Sequence, residues 1–572
     1  MADSSSSGNS LRRRRAAPWL AAAATAWLIA LAWTALQAAP QGRTAPAPRA
    51  HAGLDLTLFS HSENCVACHN NLATPDGRDV SIGSTWRSTM MANSARDPYW
   101  QASVRRETID HPTHTAAIQD ECAACHMPMT QRISAAAGQP GAVFAQLPIA
   151  GEDDSLLHRL AADSISCTVC HQMSPERLGT PASFNGQFVV KPIPPGGTRL
   201  IYGPYAIDAG RKTIMRSVTG YEQVEAPHVK QSELCASCHT LITTAYDASG
   251  KEVGRLPEQM NYQEWQHSAF AAEQRTCQSC HMPVAKGPVR AASVLGDERD
   301  QLSQHVFVGG NAFMVQMLNR YRTELGVEAQ PHELDQTARA TMRQLEDDTA
   351  RVRVSPPRLT AGTLAFAVDV QNLSGHKFPT GYPARRTWLH VTVRGAGGEV
   401  VFESGAVDAT GAIAGNDADR DARAFEPHYT RITKPDEVQI YESVLGDPAG
   451  VPTTGLLTAV QYLKDNRLLP RGFDKATAHP DIAVHGEAKG DADFTAEGDR
   501  VAYQVPVTGA GPFDVEVELR YQPIGYRWAQ NLARYDAAEP RRFLGYFNAM
   551  ASTSSVLVTR AAGRSAASAP DR

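Results

Sequence analysis

The chemistry in this chain is concentrated in its cysteines. There are ten, and all fall in five copies of Cys-x-x-Cys-His: Cys65, Cys68 and His69; Cys122, Cys125 and His126; Cys167, Cys170 and His171; Cys235, Cys238 and His239; Cys277, Cys280 and His281. Two thiols at this spacing can bond covalently to the two vinyl groups of one haem, which leaves the adjacent histidine as the proximal ligand of the iron. With 19 histidines in 572 residues, a histidine follows a given cysteine by chance about one time in thirty. Five in succession is a pattern. Disulfides would explain an even number of thiols but not the histidines, and zinc ribbons pair their Cys-x-x-Cys knuckles, which five cannot all do. The motifs therefore imply five covalently attached haem c groups.

The sixth position of each iron separates a conductor from a catalyst, because a second histidine saturates the metal and an open position admits substrate. A histidine precedes each motif within about ten residues: His61, His111 and His114, His158, His228 and His267. In a packed array such a residue can ligate a neighbouring haem, so mostly bis-histidine irons are expected, with His61, His114, His158 and His228 among the candidate distal ligands. Met90, Met91, Met127, Met129, Met173 and Met282 are possible axial ligands too, although a methionine near a haem is more often a packing residue. His479 and His485 are read as ordinary loop histidines.

The elements that must position these groups differ along the chain. The motif region allows about 43 residues per haem, too few to enclose each one separately, and the first cysteines are spaced irregularly by 57, 45, 68 and 42 residues. The haems must therefore pack on one another, held by short helices and loops. Helices are expected over 311–325 and 332–352, where Leu334, Ala338, Met342 and Leu345 share one face. From about Ala361 the period becomes two: Leu364, Phe366, Val368, Val370; Leu389, Val391, Val393; Val438, Ile440, Val444; Phe513, Val515, Val517, Leu519, Tyr521; Val556, Val558. This argues half-buried antiparallel strands, interrupted by a segment near Gly455–Leu469 that reads as helical. The expected fold is α+β and multidomain: a loop-rich, short-helical multihaem region over 53–354, with its bracing helices, then an antiparallel β-sandwich over 355–561 and a disordered tail over 562–572. No nucleophile or metal constellation is evident in the β region, which reads as a docking module.

Residues 1–52 carry the basic cluster Arg12–Arg15, then an apolar run from Ala16 to about Leu36, then a proline-containing tether. This is an export signal, either a cleaved signal peptide or an uncleaved membrane anchor, since about 20 apolar residues can span a bilayer. Export agrees with covalent haem attachment and implies a bacterial periplasm or the outer face of the cytoplasmic membrane. The formal charge of -5 argues against a nucleic-acid partner.

Several strings resemble the cytochrome c-554-type branch of the multihaem cytochromes, related to hydroxylamine oxidoreductase and pentahaem nitrite reductase: residues 90–99 (Met-Met-Ala-Asn-Ser-Ala-Arg-Asp-Pro-Tyr), 232–239 (Ser-Glu-Leu-Cys-Ala-Ser-Cys-His), 277–283 (Cys-Gln-Ser-Cys-His-Met-Pro), 305–311 (His-Val-Phe-Val-Gly-Gly-Asn) and 375–381 (Gly-His-Lys-Phe-Pro-Thr-Gly). The resemblance covers roughly residues 60–395. It implies His228, His305 and His376 as distal ligands, His376 being supplied by a loop between two β strands. It also shows departures: the nitrite reductases typically carry one motif ending in lysine, absent here, and the hydroxylamine enzymes use more haems and a tyrosine crosslink. The implied function is electron transfer between respiratory partner proteins, with the chain acting as a carrier more than a catalyst. The alternative is an oxidoreductase in which one open-site haem acts on a small inorganic nitrogen or sulfur compound.

Overall fold

The alternating apolar residues of the C-terminal half form two facing sheets. In the computed structural model, which describes residues 53–193 and 196–567, one sheet orders its strands Arg431–Ile432, Asp499–Pro506, Thr363–Asn372 and Ala350–Val354, with Arg358–Thr360 also paired to Thr363–Asn372. The other runs Pro452–Thr453, Ile440–Gly446, Arg386–Arg394, Asp514–Gln522 and Val556–Arg564; Val400–Ser404 joins at Arg386–Arg394, and Gln461–Asp465 joins at Ile440–Gly446. Every pairing in these sheets is antiparallel except that of Arg431–Ile432 with Asp499–Pro506. Leu364, Phe366, Val368 and Val370 of one sheet share a core with Leu389, Val391, Val393, Val515, Val517 and Leu519 of the other, the arrangement of a sandwich whose inner faces interdigitate.

Two expectations change here. The segment near Gly455–Leu469 is not helical: its residues 461–465 form a strand. The backbone N–H groups of Leu456 and Leu457 donate to the two carboxylate oxygens of buried Glu107, at 2.9 and 3.4 Å, so a distant side chain satisfies donors that a helix would have used. The disordered tail expected from residue 562 is corrected over its first residues, because Ala562, Gly563 and Arg564 pair with Glu516, Val515 and Asp514.

The helices expected over 311–325 and 332–352 are found as Ala312–Arg320 with Arg322–Leu325, and as Pro331–Asp348. The latter ends early because Ala350–Val354 pairs with Thr363–Asn372. These helices pack with Ala538–Met550 and Pro98–Asp110 through Tyr99, Phe313, Leu318, Leu334, Phe543 and Phe547. A further core joins Trp100, Val104 and Ile118 to Leu445, Leu456 and Leu457. By its contacts, Leu54–Arg572 is one compact unit. The boundary expected at 354/355 falls inside it, between two strands that both pair with Thr363–Asn372. The export segment expected over 1–52 lies outside the described residues. Among the described residues no helix is long and apolar enough to cross a membrane.

Candidate haem sites

The motifs sit in short helical turns: Cys167–Cys170, Ser232–His239, Cys277–His281 and the end of Thr115–His126, while at the first motif the His69 N–H donates to the Cys65 carbonyl just after helix Glu63–Val66. A helical turn brings residues three and four apart onto one face, so both thiols and the histidine of each motif address the same side. All ten thiols are partly accessible, yet burial raises those of Cys122 and Cys170, the latter to about 12. His239 has an exposed surface while the protein around it pulls its pKa down to about 4.

The motif histidines are held by their far nitrogens. Nδ1–H of His69 donates to the Ala291 carbonyl at 2.8 Å, that of His126 to Ser94 at 3.1 Å, that of His171 to Tyr202 at 2.6 Å, and that of His281 to Val308. Among the described residues none of these four rings has a hydrogen-bond partner at Nε2, so the bond that fixes the tautomer leaves Nε2 as the free ligand atom. Burial pulls His126 down to about 4, and His171 is lowered by the same cause. Both are neutral at pH 7, the ligating form. Trp100 stacks on His126 with ring centres 4.4 Å apart. Its helix starts at Pro98, where Asp97 accepts the N–H groups of Tyr99 and Trp100; burial pushes the Asp97 carboxyl up to about 6.

Two second histidines face motif histidines. His305 lies opposite His171 and His376 opposite His281, each pair with ring centres 6.3 Å apart and interplanar angles of 23° and 10°. An iron bonded to two opposed imidazoles through metal–nitrogen bonds of about 2 Å sets their centres roughly 6 Å apart. Nδ1–H of His376 donates to the Lys377 carbonyl at 3.0 Å, freeing its Nε2, and burial draws His305 down to about 3.

The structure does not bring the other candidates opposite a motif ring. His228 is buried, donates from Nε2 to the Met173 carbonyl at 2.8 Å and packs edge-on against Tyr202. His158 donates to the Ile149 carbonyl, and His114 donates to the Gly250 carbonyl while stacking on Tyr246. His61 accepts the Glu63 N–H and lies 3.7 Å from the Asp163 carboxylate. His111 contacts Thr458, and His267 donates to the Asp474 carbonyl. Met127, Met129 and Met173 lie in apolar cores.

Thiols of different motifs lie beside one another and give the order in which the motifs adjoin. Cys65 neighbours Cys167, Cys125 neighbours Cys238, and Cys235 neighbours Cys277. The first motif therefore neighbours the third, and the fourth neighbours both the second and the fifth. The irregular spacing along the chain carries no trace of this order.

No family model and no curated protein matches the chain. A solved structure similar to it is that of a penta-heme cytochrome c552 from Thermochromatium tepidum, 16% identical, with a TM-score of 0.48 over 89% of this chain and 99% of that one. The functional reading rests on the residues of this chain.

One cluster of metal-ligating composition was not evident in the sequence: His428, Asp491 and Asp499. Its proton arrangement can be read from the amides around it. Gln439 and Asn466 both donate to His428 Nδ1, and their orientations are pinned because the carbonyl oxygen of each accepts a backbone N–H, from Tyr429 and Glu442. His428 therefore carries its proton on Nε2 and donates it to Asp491 at 3.0 Å. In this arrangement Nε2, the nitrogen that faces both carboxylates, carries a proton and offers a metal no lone pair, so the cluster is held together by hydrogen bonds.

Proposed function

We propose that this chain is a multihaem c-type cytochrome that binds five haem c groups through its ten cysteines and transfers electrons. What carries the reading is the set of motif histidines anchored at Nδ1 with Nε2 free, two of them opposite a second histidine at the separation an iron requires. Haem iron supplies one-electron chemistry between its ferric and ferrous states. The chain's own residues fix ligand tautomers through backbone carbonyls, keep the His126 and His171 imidazoles neutral by burial, and set the order in which attachment sites adjoin. Saturation of an iron by two histidines favours conduction over substrate binding, which supports a carrier. The export signal of residues 1–52 supports work in a bacterial periplasm or at the outer face of the cytoplasmic membrane, where donor and acceptor proteins exchange electrons with it.

A potentiometric titration of the holoprotein, followed in the visible spectrum with carbon monoxide added to the reduced form, tests the reading. Reversible reduction with a spectrum indifferent to carbon monoxide is expected. A haem that binds carbon monoxide would favour the oxidoreductase reading, in which one open iron acts on a small nitrogen or sulfur compound.

A further inference from the structure

His376 reaches His281 from a loop far away in sequence, and what holds that loop is a closed ring of four buried charges. Glu264, in helix Asn261–Gln266, is fully buried, as is Lys377; Asp465 and Arg467 are nearly so. Oε2 of Glu264 accepts the backbone N–H of Lys377 at 3.2 Å and the Thr380 hydroxyl at 2.6 Å, while its Oε1 lies 2.9 Å from the Arg467 guanidinium. Arg467 grips Asp465 with Nε and Nη2, at 2.9 and 2.8 Å, and Asp465 accepts from the Lys377 ammonium at 2.7 Å. The Asn372 amide donates to the His376 carbonyl, and Phe378 exchanges backbone hydrogen bonds with Leu468. Gly381 closes the loop at φ +73°, with Asn261 so near that a Cβ would stand 3.3 Å from its side chain.

Burying four charges contributes little net stability, because desolvation offsets the attraction between them; the better-attested use of such a network is to specify one arrangement. Here the arrangement specified is that of the residues on either side of His376. We propose that Glu264, through the ring it closes with Arg467, Asp465 and Lys377, is the positioning residue for the sixth ligand of the haem carried by Cys277 and Cys280. This rests on the reading of His376 as that ligand. The carboxylate is required because Oε2 accepts two donors while Oε1 sets its charge against the Arg467 guanidinium. An isosteric carboxamide has one accepting end, so it turns an N–H either toward the loop or toward Arg467.

The test uses full-length holoprotein carrying Glu264→Gln or His376→Ala, read by electron paramagnetic resonance, carbon monoxide binding and haem content. Glu264→Gln is expected to keep every haem, to convert one of them to a high-spin, carbon monoxide-binding form, and to recover the low-spin signal when imidazole is added. His376→Ala should give the same signature. If His376→Ala converts one haem and Glu264→Gln converts none, the positioning role is wrong while the ligand reading stands. If His376→Ala also leaves every haem unchanged, the ligand reading fails and the positioning role with it. Should Glu264→Gln not fold, Thr380→Val removes the hydroxyl donor alone; partial conversion of the same haem is expected, and complete retention of the low-spin state would overturn the proposal.

Discussion

Glu258 shows what burial does to an acid beside the second motif. It is 3% exposed, and desolvation, with the charges of Glu121 and Glu107 nearby, pushes it from 4.5 up to about 8. An unfolded chain releases this proton once the pH exceeds about 4.5, whereas the folded chain holds it to about 8. Folding stability contributed at this site is therefore full at low pH and is lost as pH rises through that window. Glu258→Gln should raise the melting temperature at pH 8 while changing it little at pH 5; equal effects at the two values would contradict the assignment. The same scale explains what the sequence could show. Cys65 through His281 were legible because each Cys-x-x-Cys-His motif is a local string whose spacing is visible along the chain. His305 and His376 stood in recognisable strings, but their partners His171 and His281 could be matched only in three dimensions. His61, His114 and His158 were named because they precede a motif; in the structure one ring nitrogen of each is hydrogen-bonded, to Glu63, Gly250 and Ile149, and among the described residues none of the three stands opposite a motif ring.

Helix Pro98–Asp110 is the element on which the second site depends. Asp97 caps it, Trp100 stacks on His126, and Glu107 at its far end fastens Leu456 and Leu457. Removing such a cap costs about 1 kcal/mol. Asp97→Ala should destabilise the protein by about that amount in urea unfolding and broaden the spectrum of the haem proposed at His126; an unchanged midpoint would show that the cap is dispensable. The strands of the sandwich were legible at this scale because a period of two survives wherever one face of a sheet is buried. The strand Gln461–Asp465 was not. Leu456 and Leu457 precede it in a turn whose donors are satisfied by Glu107, more than three hundred residues earlier in the chain, and local pattern does not register a partner at that distance.

For the whole molecule, the sequence suggested two folded units, with composition changing after the last motif. The cores cross that change: Trp100 and Val104 pack with Leu445 and Leu456, and Tyr99 packs with Phe543 and Phe547. His376, Asp465 and Arg467 lie in the β region while His281 and Glu264 lie in the motif region. The two regions should therefore unfold together. The haem absorbance and the far-ultraviolet signal of the sandwich are expected to melt in one transition, and a separate, earlier loss of either would mean that the regions are independently stable. The most direct test of the central claim is the haem stoichiometry of the purified holoprotein by pyridine haemochrome, read together with its electron paramagnetic resonance spectrum. Five covalent haems per chain are expected, with those at His171 and His281 low-spin and bis-histidine; fewer than five, or high-spin iron at either of these two sites, would contradict it.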